Sequence, residues 1–250
     1  MFGKNPVRKQ HLDDGILLRV QEIFKTVQGE GPHAGRPAFF IRLAGCNLRC
    51  HFCDTDFESG YDNKLTLSQI MQQLNELAAD SSVSLVVITG GEPLLQNIVP
   101  LVRLLRKSSF DVQIETAGTV WLPELEALLY FQSPDFLVCS PKTHKVHSRI
   151  ASLCSHWKYI VSEHNCAPSL EELASGIPFD GLPVRSTQLN GKPDVLFRPD
   201  PDTFHTIWLQ PMDAGADIEQ TVRNTKAAVA ACLRFGYRLS VQVHKMVGMP

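Results

Sequence analysis

Residues 38–55 read AFFIRLAGCNLRCHFCDT. The first half, Ala38–Gly45, is a short apolar run of the kind that forms a buried strand. The second half sets Cys46, Cys50 and Cys53 in C-x3-C-x2-C spacing directly behind it. Thiolates are soft ligands that select iron–sulfur clusters, zinc or copper. A closed structural zinc site takes four ligands. The next cysteine is the distant Cys139, and His51, crowded inside the loop, carries no ligand role. Three cysteines on a four-iron cluster leave one iron open to bind a substrate or cofactor.

Composition narrows the setting for that loop. The chain has 250 residues, 44% hydrophobic and 20% charged, which excludes disordered, collagen-like and coiled-coil architectures. Lys plus Arg is 24 and Asp plus Glu is 26, so no basic excess points to nucleic acid or an anionic membrane. The seven cysteines are an odd number in a mid-sized chain and do not suit a disulfide framework. The N-terminal stretch has basic residues without an apolar core behind them, so no secretory signal is expected. A cytoplasmic, reducing location would keep thiolates free for metal.

Outward from the cysteine loop, strand and helix patterns alternate. Residues 1–19 read as a polar extension and 20–250 as a single domain. Thr66–Gln69 has capping-box spacing and opens a helix with Ile70, Leu74, Leu77 and Ala78 on one face. Leu85–Thr89 is a buried strand. A helical stretch from Leu94 to Lys107 is interrupted by Pro100, and Val112–Thr116 is the next strand. Leu122, Leu125, Leu128 and Leu129 space as a helix with Pro123 near its start. Phe136–Cys139, Tyr159–Val161 and His205–Leu209 are further strands. A Pro-rich excursion over 176–201 lies between the last two. Asp217–Gln220 is a second capping box, opening a helix that Gly236 closes, and Arg238–His244 alternates like a final strand. About six strand–helix alternations predict parallel strands joined by helices, an α/β partial (β/α)6 barrel. In such sheets functional groups gather at the C-terminal ends of the strands. The cysteine loop, the Gly90-Gly91 turn, Ser140-Pro141-Lys142 and Gln210-Pro211-Met212-Asp213 all fall there.

Thr89-Gly90-Gly91-Glu92-Pro93 follows a buried strand, and its glycines allow a ligand to approach the backbone. The Glu92 carboxylate suits an ammonium group, or equally a helix N-terminus. Cys154, His156, His164 and Cys166 look superficially like a zinc pair but read better as scattered residues around a strand.

The loop RLAGCNLRCHFCDT followed by GGEP resembles the radical S-adenosylmethionine (SAM) superfamily. That resemblance implies a 4Fe-4S cluster on Cys46, Cys50 and Cys53, with SAM chelated to the open iron. It also implies that an electron from the cluster cleaves SAM to a 5′-deoxyadenosyl radical. Phe52 would then pack near the adenine, and Gly91 and Glu92 would lie at the methionine end.

The flank Glu22–Gly31, the stretch Gly35–Arg42 and the C-terminal HKMVGMP are similar to the 7-carboxy-7-deazaguanine synthase family, and the likeness covers most of residues 20–250. The flank itself reads as a polar, Gly-rich loop feeding the first strand. Family resemblance implies a lyase acting on 6-carboxy-5,6,7,8-tetrahydropterin, contracting its ring with loss of ammonia. It implies Mg²⁺ at Thr55, with Asp54 nearby. It places Val27, Gln28, Gly29, Arg42, Thr89 and the Pro250 carboxylate against the pterin. Ser140, Pro141 and Lys142, with Gln210, Pro211, Met212 and Asp213, would touch SAM, and Glu115 and Thr116 end a strand on the same rim. It further implies a homodimer and a reductase or flavodoxin-type electron donor. Two other readings share the cysteine loop: a glycyl-radical activating enzyme, and a non-catalytic zinc or iron–sulfur module.

Overall fold

The structure is a computed structural model describing residues 5–129, 136–165, 174, 179–188 and 195–250. Its frame is one open nine-stranded sheet of order β3-β1-β2-β4-β5-β6-β7-β8-β9. The strands are β1 Leu17–Val27, β2 Pro37–Leu43, β3 Lys64–Thr66, β4 Leu85–Gly90 and β5 Asp111–Thr116, then β6 Leu137–Cys139, β7 His156–Val161, β8 Thr206–Pro211 and β9 Arg238–Leu239. From β2 through β9 every neighbouring pair is parallel. The mostly parallel α/β sheet expected from the alternation is present, with five longer parallel strands, β2, β4, β5, β7 and β8, and the three-residue β6 between β5 and β7.

Burial explains why these runs are strands. Leu85, Val86, Val87 and Ile88 of β4 have no exposed surface, nor do Ala38, Phe39, Ile41 and Leu43 of β2. A strand covered on both faces has no polar side to alternate with, so it reads as a continuous apolar run. Each such Leu, Ile or Phe contributes about 1.5–3 kcal/mol by burial. Helix α1 (Leu67–Ala78) starts with the reciprocal Thr66–Gln69 capping box and buries Ile70 and Leu74, as its pattern requires.

Several elements differ from the sequence reading. The flank expected to be a loop is mostly strand β1, antiparallel to β2 with Thr26 opposite Ala38. Leu17–Arg19, assigned to the polar extension, begin this strand, and Leu18 is fully buried. A register shift between Val20 and Glu22 breaks the two-residue period that would have revealed it. The Leu94–Lys107 stretch divides into a 3-10 turn at Pro93–Leu95 and helix α2 (Val99–Lys107). Pro100 sits in the first turn of α2 and does not interrupt it, because an N–H there has no intrahelical partner to lose. Helix α3 is only Leu125–Leu129, and α4 is Ser148–Leu153. Helix α5 (Ile218–Phe235) has Asp217 as its N-cap and Gly236 in the left-handed conformation at its end. Its capping box is one-sided, because the Gln220 amide bonds Glu163 and Asn224. The expected last strand stops at Leu239, and helix α6 (Val243–Met246) follows.

The register of the parallel pairs levels the strand ends. Leu43 lies beside Gly90, Thr116 beside Cys139 and Val161 beside Pro211. Each loop leaving these ends therefore starts at the same height on one rim.

Candidate active site

A cavity of about 460 Å³ opens at that rim. Its lining contains Cys46, Cys50 and Cys53, together with Phe52, Thr55, Val27, Gln28, Arg42, Thr89 and Gly91. Ser140, Lys142, Gln210, Pro211, Met212, Asp213 and Pro250 complete the expected residues found there. Gly29, Glu92 and Pro141 do not line it.

Glu92 has turned inward. It is fully buried and caps the 3-10 turn, accepting from Leu94 N at 3.1 Å. Thr116 Oγ1 and Ala117 N donate to it at 2.7 and 2.8 Å. Burial pushes its carboxyl above the ordinary range, and these donors partly offset that. Of the two roles read for Glu92, the geometry supports the helix-terminus one: it ties the Gly-Gly turn to the end of β5. Gly29 faces the neighbouring C-terminal segment, where a Cβ would collide with the His244 ring.

The Gly-Gly turn lies directly against the cysteine loop. Gly91 N donates to Leu43 O at 3.2 Å and Glu92 N to Gly45 O at 3.0 Å. A Cβ on Gly91 would overlap the Gly45 carbonyl and come within 2.9 Å of Cys46 Cβ. Only glycine permits this approach.

The three sulfurs sit in different surroundings. Leu48 N donates to Cys46 Sγ at 3.4 Å, and burial pushes the Cys46 thiol up to about 12. The Cys53 thiol is also raised by burial, and it donates to Thr55 O at 3.6 Å. Cys50 Sγ accepts from Thr187 Oγ1 and Gln188 Nε2, both at 3.3 Å. Buried thiols hold their protons until a metal displaces them. Among the described residues no three His, Cys, Asp or Glu side chains converge on a point where one metal ion could sit. Three soft thiols side by side in one loop at this rim are a donor set that an iron–sulfur cluster takes. A SAM-sized ligand also has a partner waiting: Gln210 Oε1 is buried at the cavity without a hydrogen-bond donor among the described residues. Lys142 Nζ lies 5.9 Å from the Phe52 ring and donates to Ser140 O at 2.9 Å.

Sequence reasoning placed Glu115 on this rim but missed Lys158, which completes the charged floor of the cavity. Lys158, on β7 and only 5% exposed, pairs closely with Glu30 and lies 3.6 Å from Glu115 Oε2. Glu30 Oε1 also accepts from Gln210 Nε2 at 3.0 Å and Gln242 Nε2 at 2.9 Å. Burial alone would raise the Glu30 carboxyl, but the Lys158 charge outweighs it and holds it at about 2. Burial likewise opposes the Lys158 charge, and Glu115 with Glu30 reverses that and keeps its pKa above the usual lysine range. A lysine in the middle of the apolar strand HWKYIV was the available signal.

On the opposite wall, Arg42 Nε lies 2.9 Å from Glu22 Oε1, and its Nη1 donates to Thr55 Oγ1 at 3.2 Å. Thr55 Oγ1 donates in turn to Asp54 Oδ1 at 3.1 Å. The C-terminal segment closes the cavity: Thr26 Oγ1 donates to Pro250 O at 3.0 Å, and Lys245 bridges Asp54 at 3.1 Å and Asp213 at 2.6 Å.

The superficial zinc pair is not assembled at its described members. Cys154 is buried with Sγ 3.1 Å from His156 O, and the His156 ring accepts from Trp208. Cys166 lies outside the described residues.

The three-cysteine loop on a partial parallel barrel defines a radical SAM protein, and residues 40–144 match the family model of the radical SAM superfamily. That superfamily implies a 4Fe-4S cluster and SAM. A 7-carboxy-7-deazaguanine synthase of Rhodospirillum rubrum is 41% identical over 99% of both chains. Its counterpart in Rickettsia prowazekii is 37% identical over all of this chain and 96% of the relative. The chain belongs to the 7-carboxy-7-deazaguanine synthase family. The crystal structure of QueE from Escherichia coli is similar in fold, with a TM-score of 0.61 and 25% identity over 90% of this chain and 94% of that one. Family membership sets aside the glycyl-radical activating reading. No helix among the described residues is long and apolar enough to cross a membrane.

Proposed function

We propose that this cavity converts 6-carboxy-5,6,7,8-tetrahydropterin to 7-carboxy-7-deazaguanine by ring contraction with loss of ammonia. One observation carries the reading. A single cavity brings the three cluster cysteines together with a wall of pterin-sized polar groups: Gln28, Arg42, Thr89 and Pro250. Cys46, Cys50 and Cys53 would hold the 4Fe-4S cluster. Gly91, Ser140, Lys142 and the Gln210–Asp213 turn, with Phe52, would hold SAM. When bound, the two supply one-electron chemistry for hydrogen abstraction.

The chain's own residues bind, orient and exclude water. Arg42 is a fixed guanidinium facing the cavity, suited to a planar carboxylate. Val27, Gln28 and Thr89 sit at the ends of β1 and β4, so they are held by the sheet. Gly29, one step behind the lining, keeps room for His244 and so lets the C-terminal segment close down. Thr55 presents a neutral oxygen beside the Asp54 carboxylate. Mg²⁺ prefers oxygen, takes few protein ligands and keeps waters, so Thr55 and Asp54 would hold it, and it would supply positive charge beside a carboxylate substrate. Arg42, which donates to Thr55 Oγ1 at 3.2 Å, stands beside that pair.

The proposal also includes a cytoplasmic homodimer served by a reductase or flavodoxin-type electron donor, in keeping with the resemblance of the flank and C-terminus. Anaerobic turnover of the reconstituted protein with SAM, Mg²⁺ and the pterin tests it. The expected outcome is 7-carboxy-7-deazaguanine, identified by mass. SAM cleavage without that product would refute the assignment.

A further inference from the structure

The Pro-rich excursion between β7 and β8 returns to the cysteine loop. Its described residues 185–188 lie along Cys50, and Gln188 pairs with Cys50 as an isolated antiparallel bridge. His51 N donates to Thr187 O at 2.9 Å, and Arg49 N to Gln188 Oε1 at 2.7 Å. Thr187 N donates to Lys142 O at 3.1 Å, which anchors the segment to the turn after β6. From this anchored position two side chains point at one sulfur. Gln188 Nε2 and Thr187 Oγ1 both reach Cys50 Sγ at 3.3 Å, with the Thr187 hydroxyl shared with Lys142 O at 3.3 Å, and Thr187 is 3% exposed.

This is an asymmetric arrangement. Cys46 Sγ accepts from a backbone N–H within its own loop, and Cys53 Sγ acts as donor to Thr55 O. Among the described residues, only Cys50 receives side-chain donors from a distant segment. Adding an electron to an iron–sulfur cluster places more negative charge on its sulfurs. Donors aimed at a sulfur stabilise that charge and raise the reduction potential. Burial strengthens the effect because water does not screen it.

The geometry points to Thr187 and Gln188 as positioning residues that set the reduction potential of the cluster through Cys50. The inference rests on the radical SAM reading of the cysteine loop. The step concerned is a one-electron reduction, [4Fe-4S]²⁺ to [4Fe-4S]⁺, with the electron supplied by an external one-electron donor. Losing both donors would make the reduced form harder to reach.

The test is an anaerobic electrochemical titration of the reconstituted protein without SAM, followed by electron paramagnetic resonance of the reduced cluster. Thr187→Val keeps the shape and removes the hydroxyl. Gln188→Leu removes the amide donor at a partly exposed position. Thr187→Ser retains the hydroxyl. For each single removal the ratio of reduced to oxidised cluster at fixed potential should fall several-fold, approaching tenfold, which for one electron is about 59 mV. The double variant should fall further, and Thr187→Ser should match the parent. Iron content per chain is measured alongside, so that lost cluster is not mistaken for altered potential. Unchanged potentials in both single variants at full iron content would overturn the inference. Should Thr187→Val fail to hold iron, Gln188→Leu alone decides, because the backbone bonds of the segment remain. Failure of the parent itself to form a four-iron cluster would sink the radical SAM reading, a result distinct from a cluster indifferent to these residues.

Discussion

Replacing Lys158 with Met should expose how much the charged floor contributes. Lys158 lies between Glu30, in close contact, and Glu115 at 3.6 Å, and all three line the cavity. Methionine is of similar length and apolar, so packing is largely kept while two carboxylates, 13% and 16% exposed, lose their cation. Glu30 gives a scale for the loss. Its carboxyl is held at about 2 from an ordinary value of 4.5, and one unit is worth about 1.4 kcal/mol, which makes about 3 kcal/mol. Removing one partner of a buried pair costs about 3–5 kcal/mol, in the same range.

The pH dependence has a definite sign. In the parent the Glu30 carboxyl is depressed, so its contribution is complete above the ordinary value and is lost as pH falls towards 2. In Lys158→Met burial acts on Glu30 without its counter-charge, and its pKa rises above the ordinary value. Lowering the pH from 8 to 5.5 then lets it take a proton, and the stability deficit shrinks. Urea unfolding followed by circular dichroism at both pH values measures this for the parent, Lys158→Met and Lys158→Met/Glu30→Gln. The double variant should be more stable than Lys158→Met. A deficit under about 1 kcal/mol, equal at both pH values, would place the triad with ordinary surface pairs and refute the reasoning.

Three further outcomes are expected. Gly91→Ala should leave the fold intact by circular dichroism yet lose most of its iron on reconstitution, because its Cβ would drive the turn away from Gly45 and Cys46. Thr55→Ala should raise the Mg²⁺ concentration for half-maximal activity about tenfold, equivalent to about 1.4 kcal/mol, while the spectrum of the cluster stays unchanged. Thr116→Val removes the 2.7 Å donor to buried Glu92 and should cost about 1–3 kcal/mol in urea unfolding, whereas Thr116→Ser should cost much less.

Much of the frame was legible because parallel strands announce themselves. β2 and β4 are apolar on both faces, and no other element of their length reads that way. The cysteine loop and Gly-Gly turn were legible for a different reason: their residue types are dictated by chemistry and by close backbone approach. β1 was missed because its polar residues alternate out of phase across the register shift at Val20/Glu22. Glu92, read with two roles, shows what long-range contacts decide. A carboxylate in a ligand-binding turn suggests a ligand contact, but Thr116 and Ala117, distant in sequence, turn it inward. Hydrogen bonds between distant segments leave no periodic mark in a sequence.

Distant segments also complete the site. The cysteine loop follows β2 directly, yet its neighbours arrive from four separate places. Arg8 N donates to Cys46 O at 2.7 Å from the N-terminal side, and the Gly-Gly turn packs from β4. Thr187 and Gln188 descend from the excursion, and Lys245 reaches Asp54 from the C-terminal segment. Four segments far apart in the sequence thus meet at the cysteine loop once the sheet has formed. That explains why a polar extension and a Pro-rich excursion without periodicity still bear on the cysteine loop.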